Sequence, residues 1–335
     1  MHQQHDQSLD VTSSLSGSTV GPESQADVPV PSGSVRQETI GGVPILGEVT
    51  TAEVIGPPRG PRLVLPLVLF VATCFSTYYA VMEHFGWSST VAFQFMSATM
   101  AILLAHEAGH YFQTLRYRVR ASLPFFIPMP MAPWGTMGAV IGMSGSTADR
   151  KQLFDIGLSG PLAGLVLAIP FSIVGIMTAD FTTPEVMGNA GGGIEFADPL
   201  LFKLIMRQFR PELPEDVILF LNPWLFAGWV GMLITGLNMM PVGQLDGGHV
   251  AHAVLGRGAR YLAYGVIASA VLYMVWLRQP VWILMVILIV MFGITHPPTA
   301  NDAAPIGWGR RVLGLVSLAI PIFCFSPNPI RFLGG

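Results

Sequence analysis

Charge is scarce in this sequence. Asp, Glu, Lys and Arg make up only 11% of its 335 residues, against about 25% in a soluble domain. A chain so poor in charge cannot present an all-round face to water, which excludes a soluble enzyme. No basic stripe stands out, so no nucleic-acid partner is implied, and the net charge of −3 says little else about partners. Cysteine is scarcer still. Cys74 and Cys324 are the only two, both in apolar runs. They build neither a disulfide framework nor a metal cluster and read as small apolar residues.

Periodic apolar patterning is missing from residues 1–60, which are rich in Ser, Gly, Gln, Pro and Val. Such a segment buries too little to offset its ordering entropy. It reads as a disordered cytoplasmic tail, with a short strand near "VPILGEV". It also lacks the positive n-region and short apolar core of a signal peptide, and its acids argue against a transit peptide.

Uncharged length is what the chain has in abundance. A helix needs roughly 20 apolar residues to cross a hydrocarbon core. The windows 63–82, 85–105, 156–179, 217–245, 261–277, 279–301 and 312–330 offer that length, with the first, third and last the clearest. Gln279-Pro280 turns the chain between the fifth and sixth windows. The expectation is an all-α polytopic membrane protein of about six to seven transmembrane helices over residues 61–335. Lys/Arg bias orients it. Arg59, Arg62, Arg116, Arg118, Arg120, Arg150, Lys151, Arg257, Arg260, Arg310 and Arg311 fall on one side of an up-and-down count, and the acid-rich 180–216 loop on the other. This implies a bacterial cytoplasmic membrane, with the amino terminus and the active site toward the cytoplasm.

One apolar window breaks the helical rule. Residues 121–148 carry Pro124, Pro128, Pro130 and Pro133, which forbid a continuous helix, and they lie between two basic clusters of the same side. A re-entrant membrane β-hairpin between the second and third spans, bent around Gly135 and Gly138, satisfies both constraints.

The chemistry is concentrated in "AILLAHEAGHYF", residues 101–112. Ionisable residues inside a membrane helix are costly and mark function. His106 and His110 stand one turn apart on one face, the spacing of two ligands to one Zn²⁺, and Glu107 sits beside them without ligating, where a general base belongs. Zinc in a catalytic site takes three protein ligands. Arg116 occupies the place of a third metzincin His, and no Glu falls between Glu107 and Glu185 to complete a thermolysin-like site. Asp246, in "GLNMMPVGQLDGGHVAH", is the other acid in an apolar setting. Span length and charge bias bring it to the depth and side of His110.

These motifs resemble the site-2 proteases, zinc metalloproteases that cut peptide bonds within membranes. "HEAGH" and "NMMPVGQLDGG" carry the likeness, with "PWGTMGAV" similar to that family's Gly-rich hairpin and "FDIGLSGPLAG" to its next helix. The likeness spans about residues 60–260 and is nearer the plastid and cyanobacterial-type branch, without PDZ or CBS modules. It implies one zinc per chain held by His106, His110 and Asp246, with Glu107 as base and Asn238 steadying the substrate carbonyl. The substrate it implies is a single-span membrane protein in the bilayer. Its unwound strand would add to the hairpin edge at Gly135, Thr136, Met137, Gly138 and Ala139. No oligomeric state is set by the sequence.

Competing readings are weaker. A catalytically silent zinc-binding membrane protein or chaperone has no need of Glu107, and a metal transporter would want polar residues along a through-path. The serine-protease pattern in "GLSG" leaves the His-Glu-His cluster unexplained. His249 and His252 read either as partners orienting Asp246 or as helix-face histidines bonded to backbone. His84 and His296 read as interfacial anchors and Asp155 as the cap of the third helix. Gly157, Gly160 and Gly164 read as a close-packing face.

Overall fold

The computed structural model describes residues 39–40, 43–44, 63–143, 148–182, 193–214, 217–278, 283–297, 299–326 and 330–333. The chain divides into two units, Met1–Pro57 and Pro58–Gly335. In the first, β1 (Thr39–Ile40) pairs antiparallel with β2 (Val43–Pro44), at the start of the stretch expected to hold a strand. The remainder of the 1–60 tail lies outside the described residues.

The second unit is mainly helical. Helix α1 (Val64–Phe85) stops at Gly86, whose φ of 63° is the left-handed geometry a glycine supplies at a helix end. Helix α2 (Ser89–Tyr117) carries the His-Glu-His cluster. An antiparallel pair follows, β3 (Phe125–Pro128) with β4 (Thr136–Val140). The prolines thus enforce extended backbone where the sequence denied a helix. Phe126 faces Ala139 and Pro128 faces Thr136, so a bulge leaves Met137 and Gly138 opposite Ile127. Gly135 lies so close to α1 that a Cβ there would overlap the backbone of Ser76 and Thr77, and Ser76 Oγ donates to the Gly135 carbonyl (2.6 Å). The hairpin is therefore seated on α1.

Helix α3 (Arg150–Thr178) begins with a capping box. Asp149 accepts from the Gln152 amide, and the Gln152 side chain accepts from the Asp149 amide. Asp155 is not the cap expected from sequence. It sits one turn into the helix, accepts from the Tyr117 hydroxyl and pairs with both Arg310 Nε (2.8 Å) and Arg310 Nη2 (2.9 Å). Short elements follow: β5 (Phe181–Thr182), β6 (Gly193–Phe196), α4 (Leu200–Phe209) and β7 (Ile218–Leu219), with β5 paired to β7.

Helix α5 (Pro223–Asn238) is the centre of the core, buried continuously from Leu225 to Gly236. Asn222 caps it by accepting from the Leu225 amide, and Pro223 fits the first turn, where no donor is needed. At its start Phe226 stacks on Phe95 with centroids 4.9 Å apart. A turn over 239–245 leads to α6 (Asp246–Leu255), and a 3₁₀ turn (Gly256–Gly258) joins that to α7 (Ala259–Leu277). Arg150 Nε and Nη2 donate to the Ala253 and Val254 carbonyls, fixing the end of α6 to the start of α3. The chain continues through α8 (Ile283–Phe292), α9 (Trp308–Ser317), α10 (Ile320–Cys324) and β8 (Ile330–Leu333), the last paired with β6.

Among the described residues, four helical stretches are long and apolar enough to cross a membrane: Val64–Phe85, Ser89–Tyr117, Arg150–Thr178 and Asp246–Leu277. The sequence windows 217–245, 279–301 and 312–330 instead hold shorter helices of 16, 10, and 10 plus 5 residues. Their punctuation is local. Pro241 lies just beyond α5, and a turn at Leu318–Ala319 divides α9 from α10.

Candidate metal centre

His106, Glu107 and His110 are buried in α2, 3%, 3% and 8% exposed. One turn of helix brings the two imidazoles together, Nε2 to Nε2 at 3.2 Å. Asp246, the first residue of α6, closes the cluster from 140 positions away. Its Oδ2 lies 3.1 Å from His106 Nε2 and its Oδ1 3.3 Å from His110 Nε2. A carboxylate at a helix start is favoured there by the axial dipole. It is held there by close packing rather than by the flexible backbone that "DGG" suggests. A Cβ at Gly247 would overlap the Met239 carbonyl, and one at Gly248 the Gly243 carbonyl. The glycines let the 239–245 turn lie directly on the first turn of α6.

Helix α3 supplies the wall behind the cluster. The Ile156 carbonyl stands 2.8 Å from His110 Nδ1. A carbonyl can only accept, so His110 carries its proton on Nδ1 and turns the Nε2 lone pair toward His106 and Asp246. The small-residue face of α3 has a specific purpose here. A Cβ on Gly160 would overlap the His110 ring, one on Gly164 would lie 3.2 Å from His106 Nδ1, and one on Gly157 would lie 2.9 Å from His249 Cβ. Each glycine of the stripe makes room for one residue of the site.

The arrangement fits a small tetrahedral cation. Bonds of about 2.0–2.1 Å to zinc put neighbouring ligand atoms roughly 3.3 Å apart; here the two imidazole nitrogens are 3.2 Å apart, with Asp246 Oδ2 3.1 Å from one and Oδ1 3.3 Å from the other. An imidazole lone pair and a carboxylate facing each other at that range repel unless a cation lies between them. The donor set, two imidazoles and one carboxylate, is one that zinc accepts.

Residues from α2, α3, α5 and α6 line a cavity of about 130 Å³ at this cluster, with Glu107, Asn238 and Gln244 among its polar walls. Asn238 ends α5 with Nδ2 3.4 Å from His106 Nε2. Of the hairpin residues named from sequence, Ala139 lines the cavity. Gly135 and Thr136 are buried toward α1 and β3, Gly138 is buried near Ile234, and Met137 is exposed on the bulge. Val140, Ile141 and Met143, which sequence reasoning did not single out, complete the strand side. His249 also lines the cavity, and its Nδ1 lies 2.7 Å from His296 Nε2. His296 is thus a partner of His249 rather than the interfacial anchor expected. It donates from Nδ1 to the Pro297 carbonyl, so its Nε2 accepts from His249. Sequence offered no signal for a pair 47 residues apart; the 157-160-164 spacing did signal one helix face.

Membrane-length helices packed around a His–His–Asp cluster, with a carboxyl beside it, define a membrane protein with a candidate metal centre. Residues 94–277 match the profile of Peptidase family M50, and the chain belongs to that family. It is similar to the plant proteins named probable zinc metalloprotease EGY1, chloroplastic. The identity is 29% over 292 residues of the Oryza sativa protein, covering 83% of this chain and 44% of that one. To the Arabidopsis thaliana protein it is 29% over 234 residues, covering 68% and 41%. The Arabidopsis EGY2 protein, likewise named a probable zinc metalloprotease and chloroplastic, is 29% identical over 243 residues, covering 71% and 42%. The chain therefore spans less than half the length of these relatives. No solved structure matches it significantly.

These matches correct one expectation. The relatives are chloroplastic plant proteins, which points to a plastid membrane rather than a bacterial cytoplasmic one. Lys/Arg bias ranks the two sides of a bilayer but carries no information on which bilayer it is.

Proposed function

We propose that the chain is a membrane-embedded zinc endopeptidase that hydrolyses peptide bonds within or near the transmembrane helices of membrane-protein substrates, single-span proteins among them. The observation that carries this reading is the cluster of His106 and His110, both buried, with Asp246, and buried Glu107 beside it in a membrane-length helix. These three residues hold one zinc ion per chain, in a catalytic core of about residues 61–260 that follows a tail of residues 1–60. Zinc, when bound, supplies the Lewis acidity that polarises a carbonyl and acidifies water. Glu107 is the base: its carboxylate takes a proton from the attacking water and passes it to the departing amide nitrogen. Asn238 Nδ2 donates to the substrate carbonyl oxygen as negative charge builds there. The Ile156 carbonyl keeps His110 in the tautomer that ligates.

A helical substrate hides its peptide bonds, so it must unwind before it is cut. We read the β3–β4 hairpin as re-entering the membrane between the second and third of about six to seven spans. There β4 offers its edge to the unwound strand over Gly135, Thr136, Met137, Gly138 and Ala139. Ala139 on the cavity wall supports this reading.

The test pairs two variants with candidate single-span substrates. Glu107→Gln abolishes cleavage and keeps zinc near one per chain, whereas His106→Ala loses both. Wild-type turnover in Glu107→Gln refutes the mechanism. A wild-type protein that binds zinc and cuts nothing supports a silent or chaperone role instead.

A further inference from the structure

A second cavity, of about 340 Å³, lies on the far side of the first turn of α6, between that helix, the start of α7 and residues 294–296. Arg257 and Arg260 line it and no Asp or Glu does. Among the described residues neither arginine has a carboxylate partner; Arg260 donates to the Tyr261 hydroxyl (2.7 Å) and lies over its ring. On the neighbouring loop, Asp302 is engaged by His252 (3.0 Å) and Thr299 (2.6 Å). Two guanidiniums at one mouth, with no carboxylate bonded to either among the described residues, favour an anion. His252, which stacks on His296 with centroids 4.5 Å apart, forms the inner wall.

The surroundings identify the source of that anion. Only Ala259 and Ala263 of α7 are buried, and Val271, Leu272, Val275 and Trp276 further along it are exposed apolar residues. A ligand headed by phosphate and tailed by acyl chains meets both halves of this environment, since basic pockets between membrane helices take anionic headgroups. We propose that this cavity is a binding site for an anionic phospholipid, with Arg257 and Arg260 on its phosphate and its chains along α7. Pro241 and Gly243 form part of the cavity wall, so a bound lipid also braces the turn that lies on Asp246's helix.

The test uses the whole protein in nanodiscs of equal phosphatidylglycerol and phosphatidylcholine, followed by detergent release and mass spectrometry of the lipids retained. Wild type retains phosphatidylglycerol in clear excess. Two arginines at about 1 kcal/mol each predict retention roughly thirtyfold weaker in Arg257→Gln/Arg260→Gln. Both side chains are exposed, so zinc content and thermal midpoint in phosphatidylcholine alone stay at wild-type values. Arg116→Gln/Arg118→Gln, outside the cavity, retains lipid normally. Equal retention of the two lipids by wild type overturns the proposal without any variant. So does displacement of phosphatidylglycerol by millimolar inorganic phosphate, which assigns the cavity to a free anion.

Discussion

A glycine is defined by what it lacks, and at Gly160 the missing Cβ is the space occupied by the His110 ring. Gly160→Ala must push that ring off the Ile156 carbonyl or spread α2 from α3. The expected outcome is loss of most bound zinc and of cleavage, on the scale of the 10–100-fold cost of disturbing groups around a metal. Gly309→Ala, where nothing lies within 4 Å, changes neither. Metal analysis of the two purified variants decides it. His296 offers a second residue-scale test. Burial, the largest influence, holds its pKa down to about 4, from an ordinary value near 6.5. Between those values the unfolded chain takes up a proton that the folded chain refuses, so stability falls as pH drops from about 6.5 to 4 and is flat above. Asp302, held at about 2 by Thr299 and His252, loses its contribution only below its ordinary value near 3.9. The thermal midpoint in detergent therefore declines first through the histidine window, and His296→Gln reduces that decline. At this scale the meeting of the two imidazoles was legible, because HExxH spacing encodes one helix face. The Ile156 carbonyl and the His249–His296 pair were not, since a backbone oxygen has no letter and the pair is made by tertiary packing.

At the scale of elements, the hairpin tests whether β4 is an edge for substrate or only a wall. Met137 lies in the bulge with no matched partner on β3 and is 43% exposed. Met137→Pro removes a backbone donor from the bulge. Cleavage is expected to fall several-fold while zinc content and thermal midpoint hold; loss of folding would make the hairpin structural only. The element plan also marks the limit of reading hydropathy. Windows 63–82 and 156–179 became α1 and α3, because a polar cap or a left-handed glycine bounds each one. Window 217–245 gave a shorter helix. A helix buried on all sides by protein is as apolar as one bathed in lipid, and α5 is of the first kind. Apolar sequence reports exclusion from water and is silent on what does the excluding.

For the whole molecule, one membrane-length helix, α3, separates the arginine-rich end of α2 from α4. Arg116→Cys and Gln208→Cys, each in a Cys74→Ala/Cys324→Ala background, are therefore expected to react with an impermeant thiol reagent from opposite faces of sealed vesicles. Labelling of both from one face overturns that arrangement. Lys and Arg placement predicts which segments share a side, and it carries nothing on the identity of the membrane. One feature of the assembled centre also bears on how the chain is made. The partners of the His106–Asp246 contact are 140 positions apart, and ribosomes add about 5–20 residues per second. For roughly ten seconds of every synthesis, then, the helix bearing both histidines is complete while the carboxylate does not yet exist. On the proposed function, a nascent chain would be inert by timing alone, because the cluster stays incomplete until Asp246 has been made, with no inhibitor needed to restrain it.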